Sequence, residues 1–426
     1  MKKIQINNFK ESLYYEKLSN GLDVYLFPCN DKNIYTATYA VKYGGRVTDF
    51  MVDGKAHSVP LGIAHFLEHK MFEQEDGDTP LKFYAKNGAN ANASTGDKTT
   101  KYFFTGCDNF EENLRYLIKY VSNIYLTDQN VEKEKGIIAE EIKMYDDDPD
   151  CVLYDTILKN TFLDDSVRNT VGGDLSSIAS ITKEDLKLCY DTFYQPSNMT
   201  LVVGGPINVS KTLKIIKEEF ERTSFIYHDF KKLLKEDNSL DVKDYEELIM
   251  DTINPKFAFS VKLDKSIFNN LSDYEIDYYI PLMLSLCFGN SSKFYDRANK
   301  EKIMYYFKYF YIVGVNQIAL VFMGESKDPK KFIEELKQEI SNLQIDKVLF
   351  ERIKKAWIAS EIRMIDSVFT MVSNIVYDIV EFGEYKNNKI NDIRSLDFDI
   401  LNKISEKILA NDTSTLLILP KEKSNV

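Results

Sequence analysis

Two histidines and a glutamate share one five-residue run, His65-Phe66-Leu67-Glu68-His69, in a chain that has only four histidines. On a helix, residues four apart lie on one face about one turn apart, so both imidazoles can reach one ion. Neutral imidazole suits zinc, and a third protein ligand would leave one position of a tetrahedral ion open for water. Glu68 projects from the same turn, where a carboxylate can act as a general base.

The alternative is a coincidental histidine pair on a surface helix. The surrounding run LGIAHFLEHKMF is strongly apolar, which favours a mostly buried helix. Buried imidazoles need polar partners or a metal ion. The residue order is also the reverse of the H-E-x-x-H motif of zinc peptidases. The run therefore predicts a metal site suited to hydrolysis.

A third ligand should be a carboxylate on another element, and the helix expected over 131–146 offers the best candidates. At about 3.6 residues per turn, Glu134 and Glu141 lie two turns apart on an apolar stripe that also holds Ile137. A carboxylate on a core-facing stripe is costly unless it is paired or bound to a metal. Glu140 falls on the other side of the helix, as an ordinary solvated glutamate does. Glu141 is therefore the predicted third ligand.

The sequence contains an internal duplication. IIAEEIKMYD at 137–146 recurs as WIASEIRMID at 357–366, an offset of 220 residues, and two further matches follow the same order. Self-similarity at about half the chain length indicates two homologous domains. We predict an N-terminal catalytic domain over 1–221, a linker over 222–240 and a C-terminal inactive domain over 241–426.

Only the first copy carries the metal-binding residues. Glu141 has a counterpart in Glu361, but Glu134 corresponds to Lys354. The shifted position of the histidine run falls near 285–289, which contains no histidine. We therefore expect the second copy to keep the scaffold without the metal.

Strand and helix signals cluster along each half. Two alternating runs flank Asn20-Gly21, the strongest short signal for a β-hairpin. Further strands are expected over 34–43 and 99–106, and helices over 110–124 and 130–146. Such clustering predicts an α+β fold, in which each domain is an antiparallel sheet covered by helices on one face.

Composition excludes several classes of protein. The counts 54 Lys+Arg and 66 Asp+Glu give 54 − 66 = −12, with no basic block, so we expect no nucleic-acid partner. The five cysteines form no C-x-x-C pair, which argues against a zinc ribbon or a redox dithiol, and their odd number argues against a disulfide framework. Without an apolar run of membrane length or a secretory signal, we expect a cytoplasmic protein with no membrane span.

The motifs together resemble those of the M16 (pitrilysin/insulinase-like) metallopeptidase family, the inverzincins, and in particular its short bacterial members of the YmfH-like type. The resemblance runs along nearly the whole chain. It is carried by Asn20-Gly21-Leu22, GIAHFLEHKMFE at 62–73, NANASTGDKTTKYFF at 90–104, EKGIIAEEIKMYDDDPD at 134–150, FYQPSNMTLVVGGP at 193–206 and FGNSSKFYD at 288–296.

The resemblance implies a role for each matching residue. His65, His69 and Glu141 would be the zinc ligands, and Glu68 the general base. Glu134 would be the acidic partner that the family keeps seven residues before the third ligand. Asn92, Ala93 and Ser94 fall where the family has its substrate-binding edge strand.

The resemblance also implies an assembly, because the family's two similar domains (of the LuxS/MPP-like α+β type) form half of a clam-shaped chamber. The family places an Arg and, seven residues later, a Tyr near the substrate. In this chain the residue seven positions after Arg297 is Met304, so Arg297 and Tyr305 could form this pair only through a one-residue insertion. Because this pair is degraded, we expect an obligate dimer, more readily with a zinc-less M16 paralogue than with itself.

The sequence therefore predicts a zinc metalloendopeptidase acting on peptides or small unfolded proteins. General peptide turnover and maturation of a ribosomally made peptide are both open. A non-catalytic M16-like subunit that binds a peptide or a partner is the main alternative. A metal-dependent deaminase is a third, but the chain has no P-C-x-x-C motif.

Overall fold

The computed structural model describes residues 1–75 and 77–421. Within them, the strands are β1 (Lys2–Gln5), β2 (Ser12–Lys17), β3 (Asp23–Pro28), β4 (Tyr35–Val41), β5 (Asp49–Val52), β6 (Lys55–Ser58), β7 (Ala89–Thr95), β8 (Thr100–Gly106), β9 (Met199–Gly205), β10 (Phe230–Leu233), β11 (Tyr245–Met250), β12 (Lys256–Asp264), β13 (Tyr306–Val313), β14 (Gln317–Glu325) and β15 (Thr413–Pro420).

The α-helices of the same residues are α1 (Ile63–Met71), α2 (Pro80–Lys86), α3 (Phe110–Val121), α4 (Asp128–Asp147), α5 (Pro149–Thr161), α6 (Leu175–Ser180), α7 (Lys183–Phe193), α8 (Val209–Glu221), α9 (Asp273–Phe288), α10 (Lys293–Lys300), α11 (Pro329–Ile340), α12 (Lys347–Met364), α13 (Val368–Phe382), α14 (Lys389–Ser395) and α15 (Phe398–Ser405). Single 3-10 turns occur at Ser166–Arg168, Pro196–Asn198 and Lys265–Phe268.

These elements form two units, and each unit takes segments from both halves of the sequence. The first unit comprises Met1–Ile142, Asn169–Leu233 and Ser360–Asn391. The second comprises Lys143–Arg168, Leu234–Ala359 and the described chain from Asp392 onward. The division of the sequence at 222–240 stays a prediction about its homologous halves.

The main sheet of the first unit has the strand order β1-β2-β3-β9-β4-β8-β7. Its neighbours are antiparallel apart from the parallel pair β3 and β9. Strand β7 lies at the edge, paired with β8. A small second sheet has the order β10-β5-β6.

The sheet of the second unit has the order β11-β15-β12-β14-β13. It repeats the path β3-β9-β4-β8-β7 strand for strand, including the one parallel pair, here β11 and β15. The predicted α+β fold with two similar helix-covered sheets is confirmed. Each sheet is mixed, because it contains one parallel pair of strands among antiparallel ones.

The first sheet is covered by helices on both faces, so the expectation of a single covered face is wrong. Strand β9 is buried along its whole length, with Leu201 and Val203 in one hydrophobic cluster and Val202 in another. The second cluster contains α13, which lies against β4 and β9. At Gly204 the approach is so close that a Cβ would lie 2.8 Å from Val372 Cγ2.

The second sheet shows the same arrangement. Helix α5 packs against β12 and β15, with Leu153 and Ile157 in a cluster with Ala258 and Leu416. The other face carries α9 and α11 among its covering helices. In each unit, therefore, one face is covered by a helix from the other half of the sequence. Helix periodicity cannot show this, because it does not say which sheet an apolar helix joins.

Candidate metal centre

Helix α1 holds both histidines on its less buried face. Its buried side chains are Ile63, Ala64, Phe66, Leu67, Lys70 and Met71. His65, Glu68 and His69 lie between this core and solvent. The helix begins after Gly62, whose φ is 85°, and a Cβ there would lie 2.5 Å from the carbonyl oxygen of Gly172. Glycine is therefore needed at this position for both backbone conformation and space.

Helix α4 brings Glu141 to the two histidines. One ligand atom from each of His65, His69 and Glu141 lies within 4.8 Å of the others. The two imidazole centroids are 4.6 Å apart. Glu141 Oε1 lies 3.9 Å from His65 Nε2, and Oε2 lies 3.3 Å from His69 Nε2. Glu140, one residue before, is exposed.

The chemistry of this donor set fits zinc. Two imidazoles and one carboxylate are the ligands of one class of catalytic zinc site, which keeps its fourth position open. Burial, opposed in part by nearby carboxylates, lowers the pKa of His65 to about 4. At neutral pH its imidazole is therefore neutral, the form in which it binds metal.

Glu134 supports the second histidine. His69 Nδ1 lies 2.9 Å from Glu134 Oε1, and Glu134 is buried on the inner side of α4. Burial lowers the pKa of His69, but the hydrogen bond and charge of Glu134, with Glu141, outweigh it and raise that pKa overall. Burial raises the pKa of Glu134, but His69 and Lys70 hold it below its usual value. A carboxylate here orients the ring and leaves Nε2 directed at the cluster.

Glu68 lies beside the cluster in a partly desolvated position. Burial raises the pKa of its carboxyl above the usual value, and a hydrogen bond from Thr95 opposes this rise. Thr95 Oγ1 donates to Glu68 Oε2 at 2.5 Å. Thr95 is the last residue of β7, directly after the predicted substrate residues, and sequence reasoning missed it. Strand alternation was the available signal, since it places Thr95 on the same face as Ala93.

The predicted substrate residues lie on the sheet edge. Asn92 is exposed, Ala93 is buried and Ser94 is intermediate. Asn92 Oδ1 accepts a hydrogen bond from the backbone N–H of Ala93 at 2.9 Å. An edge strand of this kind presents backbone groups to which an extended peptide can pair.

A buried lysine connects helices α1 and α4, and sequence reasoning missed it as well. The Lys70 side chain is fully buried, and its Nζ donates to Glu73 and, at 3.3 Å, to the carbonyl oxygen of Asn130. The Asn130 side chain in turn bonds the backbone of Thr127 at 2.9 Å. Helix α1 is thus anchored to the start of α4.

Arg297 and Tyr305 belong to the second unit. Arg297, on α10, pairs with Glu339 at 3.1 Å and with Glu335 at 3.9 Å. Tyr305 directly precedes β13 and is 59% exposed. Their suggested contact with substrate stays a prediction.

Comparison with known proteins relates the chain to one family of peptidases. Residues 56–175 match the family model described as Insulinase (Peptidase family M16), and residues 180–356 match that of the Peptidase M16 inactive domain. The chain is 33% identical over 443 residues to a protein named "Uncharacterized zinc protease YmfH" from Bacillus subtilis (strain 168), covering 99% of this chain and 100% of that one.

Two further proteins are similar. "Zinc protease PqqE" from Helicobacter pylori (strain ATCC 700392 / 26695) is 28% identical over 210 residues, which cover 48% of this chain and 46% of PqqE. The crystal structure of an M16-like peptidase from Alicyclobacillus acidocaldarius superposes with a TM-score of 0.90 and 28% identity, covering 98% of this chain and 100% of that one.

This chain belongs to peptidase family M16, a family of zinc proteases. Zinc is its cofactor, as the zinc-protease relatives and the His-His-Glu group both indicate. Within the described residues, every helix is too short or too polar to cross a membrane.

Proposed function

We propose that this chain is a zinc-dependent endopeptidase that hydrolyses peptides or small unfolded proteins. The observation that carries the proposal is the convergence of His65, His69 and Glu141, with Glu68 on the same turn of α1 as the histidines. A site that only binds metal has no need of a carboxylate at that place.

We assign His65, His69 and Glu141 as the zinc ligands. Zinc held there would supply a Lewis acid that polarises the scissile carbonyl and lowers the pKa of a water. Glu134 keeps the His69 imidazole in the tautomer that carries its proton on Nδ1.

Glu68 acts as the general base. It takes a proton from the attacking water and returns that proton to the nitrogen of the leaving amine, so its protonation state is restored at the end of each turnover. Its partly buried position supports this role, because a carboxylate removed from bulk water is a stronger base.

The peptide binds as an added strand along β7 at Asn92, Ala93 and Ser94. The edge position of β7 supports this proposal. Backbone hydrogen bonds would give affinity with little demand on sequence. General peptide turnover and maturation of a ribosomally made peptide are both compatible with this mode of binding.

We also propose that the chain works as a cytoplasmic dimer, more readily with a zinc-less M16 paralogue than with itself. The ion pairs of Arg297 with Glu335 and Glu339 support this, because they engage the guanidinium within its own unit. Closure of two such chains into a chamber stays a prediction.

The test combines metal analysis with cleavage of a quenched peptide library. We expect one zinc per chain and cleavage that Glu68→Gln reduces by about 10²–10⁴-fold with zinc retained, because the amide keeps the shape but cannot accept the proton. Glu140→Gln is the matched control. Zinc without cleavage, alone and with candidate partners, would favour the alternative of a non-catalytic subunit that binds peptide.

A further inference from the structure

The side chain of Thr95 hydrogen-bonds Glu68, the proposed general base. Its hydroxyl oxygen lies 2.5 Å from Oε2 of Glu68, and its other side-chain hydrogen-bond neighbour is Thr100 Oγ1 at 3.4 Å. Residues Thr95 and Thr100 face each other in register on β7 and β8. The three side chains form a short polar chain from the base into the sheet.

The protons in this chain have only one consistent arrangement. A threonine hydroxyl has one proton to donate, and an ionised carboxylate only accepts. Thr100 donates its proton to the carbonyl oxygen of Tyr43 at 3.0 Å. Thr95 therefore donates to the ionised Glu68 carboxylate, and this bond makes Oε2 a weaker proton acceptor than Oε1.

Two buried tyrosines lie close to Glu68. Tyr102 and Tyr194 are buried, and their hydroxyls are 2.8 Å apart. Thr100 is buried as well. The two tyrosine hydroxyls hydrogen-bond each other, and Thr95 hydrogen-bonds the Glu68 carboxylate through its hydroxyl and its backbone.

We propose that Thr95 is a positioning residue that dedicates Oε2 of Glu68 to accepting its hydrogen bond, so that Oε1 is the oxygen that carries the proton during turnover. The inference rests on the proposed function, because it assigns the working atom of the proposed base. The proton taken from water goes to Oε1 and from there to the leaving amine, while the Thr95 proton stays on its own oxygen.

The position of Thr95 also links substrate binding to the base. It ends the strand whose preceding residues, Asn92 to Ser94, are the proposed peptide-binding edge. A peptide pairing with β7 would therefore fix the same backbone that holds Glu68. Loss of the hydroxyl should change the chemical step and leave binding along the strand in place.

The test compares Thr95→Val, which keeps the shape without the hydroxyl, with Thr95→Ser, which restores it. A hydrogen bond to a charged group is worth enough to predict a fall in kcat of about 10–100-fold for Thr95→Val. KM and zinc content should stay unchanged, and Thr95→Ser should recover most of the activity. Thr105→Val, which removes a hydroxyl bonded to Thr36 on the neighbouring strand, is the control.

A crystal structure of each variant supplies a readout that does not depend on turnover. We expect the Glu68 carboxylate to rotate or lose a single orientation in Thr95→Val and to keep it in Thr95→Ser. If the wild type is active and Thr95→Val keeps both the wild-type kcat and the wild-type orientation of the Glu68 carboxylate, the inference is overturned and the proposed function stays intact. A wild type that binds zinc and cleaves nothing, alone or with partners, would overturn both.

Discussion

Glu134 Oε1 lies 2.9 Å from His69 Nδ1, and the two residues come from different helices. The carboxylate therefore fixes the ring of a proposed ligand from the side away from the metal. Such outer partners set the tautomer and orientation of a ligating imidazole and raise its basicity.

Glu134→Gln should weaken this support without removing a ligand. We expect zinc affinity or activity to fall by about 10–100-fold, which is the usual cost of such a change. Competition with a chelator measures the affinity. Glu132→Gln, an exposed position on the same helix, should have no effect. A Glu134→Gln affinity equal to that of the wild type would show that His69 does not need this partner.

Glu141→Gln should reduce zinc content far more than Glu140→Gln. The two side chains are adjacent in sequence, but Glu141 lies within the cluster and Glu140 is exposed. Replacing a carboxylate ligand by an amide removes the negative charge that holds the ion. Metal analysis after dialysis gives the comparison, and equal zinc in both variants would reject Glu141 as a ligand.

Because of Lys232, the free energy of unfolding should vary with pH in the alkaline range. Burial, with the charge of Lys42 second, lowers the pKa of Lys232 to about 8. Between this value and the unfolded value of about 10.4, only the unfolded chain binds the proton, so stability rises with pH. Below pH 8 both states are protonated and the penalty is constant. The charged lysine is thus unfavourable at neutral pH.

Urea unfolding at pH 7 and pH 10 tests this expectation. The effect of Lys232→Met on the free energy of unfolding, relative to the wild type, should be more stabilising at pH 7 than at pH 10. We expect the two effects to differ by on the order of 1–3 kcal/mol. The Lys232 ammonium also donates to the carbonyl oxygen of Lys42, so the difference between the two pH values is the informative quantity. Lys231→Met, at the exposed neighbouring position, should show no such difference.

Arg297→Ala and Tyr305→Phe test the proposed partner. If another chain supplies the substrate contacts, the purified protein alone should have little activity, a paralogue should restore it, and neither substitution should matter greatly. Peptide cleavage with and without candidate partners is the measurement. Full activity of this chain alone, with a large loss in both variants, would point to a self-sufficient homodimer.

The sequence predicts the convergence of His65, His69 and Glu141 better than it predicts the contacts around them. The i, i+4 spacing of His65 and His69 was enough to place both on one helical face, because local geometry decides it. The sequence also predicts that Glu141 joins the two histidines, but part of the helical-wheel argument for it is wrong. Ile137 was assigned to the buried stripe and is 48% exposed. The buried residues of α4 include Glu134, as predicted, together with Asn130, Val131, Ile138 and Ile142.

The contacts that were missed depend on tertiary structure. Thr95 and Glu68 are 27 residues apart, and Lys70 meets Asn130 across 60 residues. A polar residue type alone does not say which distant group it will meet. The fold class followed from clustered strand and helix signals, but the helices that cover the second face of each sheet did not, because their targets lie in the other half of the sequence.

Helices α5 and α13 each cover a sheet whose strands come from the other half of the sequence. A polypeptide that stopped in the 222–240 segment would have no α13 to cover Val202 and its neighbours on the first sheet. The remaining polypeptide would lack α5, and Ala258 and Leu416 would lose their cover. Either fragment would expose an apolar sheet face, which favours aggregation. The duplicated halves are therefore obligate folding partners, and separate expression should yield native structure only when both fragments are produced together and complement each other.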